Sequence, residues 1–144
     1  MMAPWQPGLR MLIWTPEMSV GVAVLDEDHK NLIAMINELH DAMQAGKGRA
    51  VFGGILERLG DYTIEHFGRE EALLAATGYA ALDLHHHVHE KLKADVAEIR
   101  RKFAEGDDMC LTIDTLDFLQ NWLRHHILET DMRYRAHLNA RGVR

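Results

Sequence analysis

The 144-residue chain holds a single cysteine, Cys110. One thiol cannot close an internal disulfide, and it excludes zinc or iron–sulfur sites built on several thiolates. That usage fits a reducing, cytoplasmic setting. Proline is also scarce, with only Pro4, Pro7 and Pro16, all near the N-terminus. Together with Gly8 they interrupt a stretch in which no basic segment leads into an apolar one, so a secretory signal is not expected. Basic residues number 16 against 22 acidic ones, for a net charge of −6. No basic stripe is present, which argues against nucleic acid or an anionic membrane surface as the main partner. Arg100, Arg101 and Lys102 sit among Glu98 and Glu105 and read as a solvated helix face. Apolar runs such as Val20 to Leu25 fall far short of the roughly 20 residues that cross a bilayer. Strand-like alternation is missing too, apart from Val20 to Val24, which suits an extended arm equally well.

What is present points to one globular domain over residues 1–144. Hydrophobic residues make up 47% and charged residues 26%, enough for a sizeable core without cross-links, and no repeat or low-complexity tract divides the chain. Breakers at Gly46 with Gly48, at Gly78, and at Gly106 with Asp107 and Asp108 separate four helical segments. The first spans about 26–45, with Asp26 or Asp28 as N-cap, and carries Ile33, Ile36, His40 and Met43 on one face. The second spans about 49–77, its first turns weakened by Gly53 and Gly54; Ile55, Leu59, Tyr62, His66, Glu70, Leu73 and Thr77 share a face. The third, from Leu82 to about Phe103, aligns His85, His89, Leu92, Val96 and Ile99. The fourth, about 109–137, aligns Ile113, Leu116, Leu119, Leu123, His126, Thr130 and Tyr134. The expected fold is all-α: an up-down-up-down four-helix bundle over 26–137 with a non-helical N-terminal arm over 1–25.

Histidine is the surplus residue, with ten copies. His66, Glu70, His85, His89 and His126 fall in the middle of apolar faces, where polar side chains without partners would cost several kcal/mol. His66 with Glu70 and His85 with His89 are i, i+4 pairs, which meet on a helix surface. In an up-down-up-down bundle, a rise of about 1.5 Å per residue puts His29, His66, Glu70, His85, His89, His126 and Asp131 in the same third of the molecule. Asp131 fits least well. Five residues beyond His126 turns it roughly 140° around an ideal helix, so it either reaches the site from a bent or loosened helix or lies on the surface. His40, His86, His87, His125 and His137 are not placed as ligands; a solvated or supporting role is expected for them.

Five imidazoles and two carboxylates are too many donors for a structural zinc. They suit two first-row metal ions, with iron favoured by the mixed nitrogen and oxygen set. Two bridging carboxylates and one bridging oxygen, with three histidines on one ion and two on the other, leave one position open for a small molecule such as O2.

The sequence here resembles the hemerythrin family, specifically its single-domain bacterial members, from about Trp14 to Tyr134. VGVAVLDEDHKNLIAMINELH is similar to the family's first-helix entry and YTIEHFGREEALL to its HxxxE helix. The segment from Tyr79 to His89 resembles the step into HxxxH, and WLRHHILETD resembles HxxxxD. Ala80 stands where proline is usual and Leu74 where methionine is common. The resemblance implies two non-heme iron ions with an oxo or hydroxo bridge. His85, His89 and His126 would hold one and His29 and His66 the other, with Glu70 and Asp131 bridging. Leu123, beside Trp122, matches the leucine lining the family's O2 pocket. The implied activity is reversible O2 binding for storage, delivery or sensing, not catalysis, with an O2-consuming enzyme or signalling component as a partner; a monomer is compatible. Competing readings are a diiron signalling or stress module responding to NO, peroxide or iron, a structural zinc bundle, and a ferritin-like diiron oxidase. The oxidase is disfavoured because no Glu here is followed three residues later by His.

Overall fold

The computed structural model describes residues 11–46, 49–107 and 113–144. Expectations that concern Pro4, Pro7, Gly8, Gly48, Asp108 and Cys110, and the inward side chain of Ile113, lie outside the described residues. Helices α1 (Ala23–Gln44), α2 (Arg49–Ala76), α3 (Leu82–Ala104) and α4 (Ile113–His125) form the bundle, with no strand among the described residues. Helix α2 packs on both α1 and α3, and α4 returns to α1, as an up-down-up-down order requires. None of the described helices is long and apolar enough to cross a membrane.

Two turns are closed by glycines in the left-handed region. Gly78 has φ +68° and Gly106 φ +85°, and the N–H groups of Tyr79 and Asp107 donate back to Leu74 and Lys102 carbonyls, each at 2.9 Å. Both are Schellman closures, which a side chain at the glycine would strain.

Two local expectations need correction. Helix α1 begins at Ala23 with Val22 as an extended N-cap, so neither Asp26 nor Asp28 caps it. Asp26 instead fastens the arm, accepting from the Ser19 hydroxyl at 2.6 Å and the Val20 N–H at 2.8 Å. Asp28 is buried inside the bundle. Helix α2 starts at Arg49 as expected and runs through Gly53 and Gly54 unbroken. Gly53 is a point of close approach: a Cβ there would lie 2.7 Å from Phe103 Cε2, whereas one at Gly54 would meet nothing within 4 Å. Secondly, the last helix is not continuous. After α4 come a π-helical turn (His126–Thr130), a 3-10 turn (Asp131–Tyr134) and α5 (Arg135–Ala140).

The described part of the arm is non-helical apart from a 3-10 turn over Pro16–Met18. It is pinned along its length. Leu12 N–H donates to Asn37 Oδ1 at 3.0 Å while Asn37 Nδ2 donates to Leu12 O at 2.8 Å, and Lys30 Nζ lies 4.4 Å over the Trp14 ring. Arg135 and Asn139 donate to the Ser19 and Gly21 carbonyls.

Two apolar clusters result. The larger gathers Leu32, Ile36, Leu59, Leu119 and Leu123 with their neighbours from the four helices. The smaller, at one end, joins Val20, Val22, Leu25 and Leu74 to Tyr134 and Leu138. Gly54→Ala should stabilise the protein by about 1 kcal/mol through helix propensity, whereas Gly53→Ala should lose about 1–3 kcal/mol to overpacking against Phe103. Urea unfolding of the two variants checks the pair.

Candidate metal centre

Between the two clusters lies a polar layer supplied by α1, α2, α3 and the two turns that follow α4. Helix α1 contributes His29, α2 His66 and Glu70, and α3 His85 and His89; the π turn contributes His126 and the 3-10 turn Asp131. All seven are buried.

The two carboxylates organise the five rings. Glu70 Oε1 lies 2.5 Å from His85 Nε2 and 3.0 Å from His89 Nε2, and its Oε2 lies 3.1 Å from His66 Nε2 and 3.8 Å from His29 Nε2. Asp131 Oδ1 lies 3.2 Å from His85 Nε2 and 3.0 Å from His126 Nε2, and its Oδ2 lies 3.0 Å from His29 Nε2. Each carboxylate thus turns one oxygen towards His85, His89 and His126 and the other towards the side of His29 and His66. Two donor groups follow, Glu70, His85, His89, His126 and Asp131 in one and His29, His66, Glu70 and Asp131 in the other.

Asp131 reaches this layer because of the π turn. A π turn holds more residues than an α turn, so it brings position i+5 from His126 back to the inner face that an ideal α-helix would turn it from. The loosened-helix alternative holds, and the surface alternative does not.

The ring nitrogens are held from behind. Asp28 accepts from His66 Nδ1 at 2.9 Å and Glu71 from His89 Nδ1 at 2.7 Å. Phe67 stacks on His89, with centroids 3.8 Å apart and planes within 6°, and Trp122 stacks on His126 at 5.5 Å. Tyr134 O–H donates to Glu70 Oε2 at 2.8 Å.

In the metal-free chain these groups perturb one another. Burial disfavours charge on His29 and His85, but the Asp131 and Glu70 carboxylates outweigh it and push both imidazoles up to about 9. Burial likewise raises Glu70 and Asp131, yet the surrounding histidines hold both below the usual carboxylate range. For Tyr134, burial and the two adjacent carboxylates push the phenol well above its ordinary value. Even so, Nε2 of His29, His66, His89 and His126 and both Asp131 oxygens are buried with no hydrogen bond of acceptable geometry. Lone pairs converging from both residue types are what metal cations satisfy, so the donor set fits two such ions.

Leu123 is buried one turn before His126 and packs in the larger cluster. A separate cavity of about 130 Å³, lined by Tyr79, Ala81, Leu84, His85, Val88, Thr130 and Arg133, reaches His85 without touching Leu123 or Trp122. The five remaining histidines stay out of the layer. His86 pairs with Glu71, His125 with Glu129 and His40 with Asp41; His137 contacts Thr77, and His87 is exposed. Asp28, Glu71 and Tyr134 were not identifiable as parts of the site from spacing. Asp28 is 38 residues from His66 and Tyr134 64 from Glu70, so only the tertiary fold joins them.

Comparison with known proteins agrees with this geometry. Residues 20–138 match the model of the hemerythrin HHE cation binding domain. The bacteriohemerythrin of Stenotrophomonas maltophilia (strain R551-3) is 36% identical over 135 residues, covering 91% of this chain and 86% of the relative. The bacteriohemerythrin of Methylococcus capsulatus (strain Bath) is 34% identical over 133 residues, covering 92% and 100%. A crystal structure of wild-type hemerythrin superposes with a TM-score of 0.82 at 33% identity, covering 90% of this chain and 98% of that one. Fold, donor layer and sequence agree along nearly the whole length: the chain belongs to the hemerythrin family.

Proposed function

We propose that this chain, acting as a single domain, binds O2 reversibly at two non-heme iron ions held by His29, His66, Glu70, His85, His89, His126 and Asp131. The observation that carries the reading is the division of five imidazoles into three and two across a pair of carboxylates that each face both groups. The three-histidine side has a full donor set, and the two-histidine side keeps a position for a small ligand. When bound, ferrous ions supply the electrons that O2 binding draws on. The protein's part is to hold the donors fixed and keep water away. Phe67, Trp122 and Leu123 provide apolar walls, and full burial of both carboxylates keeps bulk water from the layer. A centre with five nitrogen donors and two carboxylates is poorer in anionic ligands than the carboxylate-rich sites of ferritin-like oxidases, which favours holding O2 over cleaving it. A cytoplasmic setting belongs to the same proposal, on the strength of a single cysteine.

Anaerobic reconstitution with iron(II) should load two irons per chain and give a visible absorption band on O2 addition that disappears under argon. Irreversible oxidation with no such band would support the oxidase instead. Leu123→Asn should load the same iron but autoxidise faster; equal rates in both proteins would remove Leu123 from the pocket.

The titration of the donors gives a further expectation. His29 and His85 are raised from 6.5 to about 9 in the metal-free fold. Their contribution to stability is therefore complete below pH 6.5 and lost as pH rises through about 9. Glu70 and Asp131 are depressed, so theirs is present above their ordinary values of 4.5 and 3.8 and lost in acid. Metal needs the imidazoles neutral and reverses the alkaline slope. Urea unfolding in chelator should show falling stability from pH 6.5 to 9, while iron(II) binds more tightly over the same interval. A flat metal-free profile would contradict the assignment of the carboxylates as partners of His29 and His85.

A further inference from the structure

Behind the two-histidine side of the centre lies a second buried carboxylate site, formed by Asp28 and the groups that surround it. Asp28 is 4% exposed and adjoins His29 on α1. Its Oδ1 accepts from Tyr62 O–H at 2.7 Å and Arg69 Nη2 at 2.8 Å. Its Oδ2 accepts from Arg69 Nε at 2.9 Å and lies 2.9 Å from His66 Nδ1. Tyr62 is fixed in turn by Asn31 Nδ2, which donates to its hydroxyl at 2.9 Å.

A carboxylate gripped by both nitrogens of a guanidinium fork is ionised and can only accept. The remaining short contact, to His66 Nδ1, must then be an N–H donated by the ring. In a neutral imidazole that leaves the lone pair on Nε2, the atom 3.1 Å from Glu70 Oε2 and without a hydrogen bond of its own. The tautomer and the ring plane are therefore both set before any ion arrives. His29, the other ring on this side, has a buried Nδ1 with no partner. Of the two imidazoles on the two-histidine side, one is anchored by a charged network and one is not.

Resting on the assignment of the seven side chains as a metal centre, we propose that Asp28, clamped by Arg69 and Tyr62, is the positioning residue for His66. It fixes the metal-competent tautomer and strengthens that ring as a donor to the ion with fewer nitrogen ligands. Glu71 stands in the same relation to His89 on the three-histidine side, but it is shared with the exposed His86 at 2.6 Å and is only part-buried. The two halves of the centre thus have unequal support, rigid behind His66 and solvent-linked behind His89.

The test is stepwise anaerobic iron(II) titration of the full chain, with metal-free stability measured in parallel. Loss of an outer partner of a metal-bound histidine weakens metal binding roughly 10- to 100-fold. Asp28→Asn keeps the shape and removes the charge, and Arg69, already 39% exposed at its side chain, can swing into solvent. It should weaken one of the two binding steps by about that factor. Arg69→Gln, which loosens the clamp from the surface, should weaken the same step by less and decides the matter if Asp28→Asn does not fold. A structural role alone would lower metal-free stability while leaving the two binding constants at their wild-type ratio. That result in both variants, with wild-type protein taking up two irons, overturns the positioning role alone. Wild-type protein that takes up no iron overturns the metal centre as well. Nitrogen NMR of the zinc-loaded protein, free of redox chemistry, should show His66 protonated at Nδ1; protonation at Nε2 contradicts the proposal.

Discussion

Two carboxylates with no solvent exposure, Glu70 and Asp131, sit among five buried imidazoles, and the rest of the molecule is arranged around that fact. A buried charge is tolerated only when paired, and here the partners come from different helices. Leucine and isoleucine faces can slide past each other with modest loss, because apolar contact has little directionality. Contacts near 3 Å between Asp131 and His29, or Glu70 and His89, cannot survive a slide of one helical turn, about 5.4 Å. The polar layer therefore fixes the relative depth of the helices, and the apolar clusters on either side hold them together.

The π turn at His126–Thr130 is the place where backbone regularity gives way to the site. A regular α-helix from Ile113 onward would carry Asp131 away from the layer and leave His29 and His126 without a carboxylate between them. The extra residue in the turn restores Asp131 to the inner face, and the following 3-10 turn brings Tyr134 against Glu70. The same departure redirects the chain into α5, whose Asn139, with Arg135, grips the arm at Gly21 and Ser19. One local irregularity thus serves the donor set, the orientation of Glu70 and the closure of that end of the bundle.

Much of this was legible in the sequence, for physical reasons that can be named. His66 with Glu70 and His85 with His89 follow the i, i+4 spacing of a helix face, and helical rise brings the seven donors to one depth. The bundle followed from breakers at Gly78 and Gly106, where the backbone does turn left-handed. The misreadings occurred where tertiary context overrides local pattern. Asp28 looked like a cap because acidic residues favour helix starts, but its partners lie 34 to 41 residues away on α2. At Gly53 the poor helix propensity was legible but its reason was not, since the absence of a side chain is what admits Phe103. The placement of Asp131 depended on a non-α turn, which the spacing of side chains admits but cannot require.

The division into two apolar clusters and one polar layer also separates what stabilises the fold from what it holds. The larger cluster spans all four helices, and only one of its buried members, Ile127 beside His126, is next in sequence to a donor. The smaller cluster cannot be separated in this way: Leu25, Leu74 and Tyr134 pack directly beyond the layer, and Tyr134 belongs to both through its hydroxyl. Ions placed between the carboxylates and the rings would tie His29 of α1 to Asp131 of the 3-10 turn, while the arm is bonded to α1 through Asp26 and Asn37 and to α5 through Arg135 and Asn139. The donor layer and the closure of that end of the bundle thus share Tyr134 and the turns that follow α4.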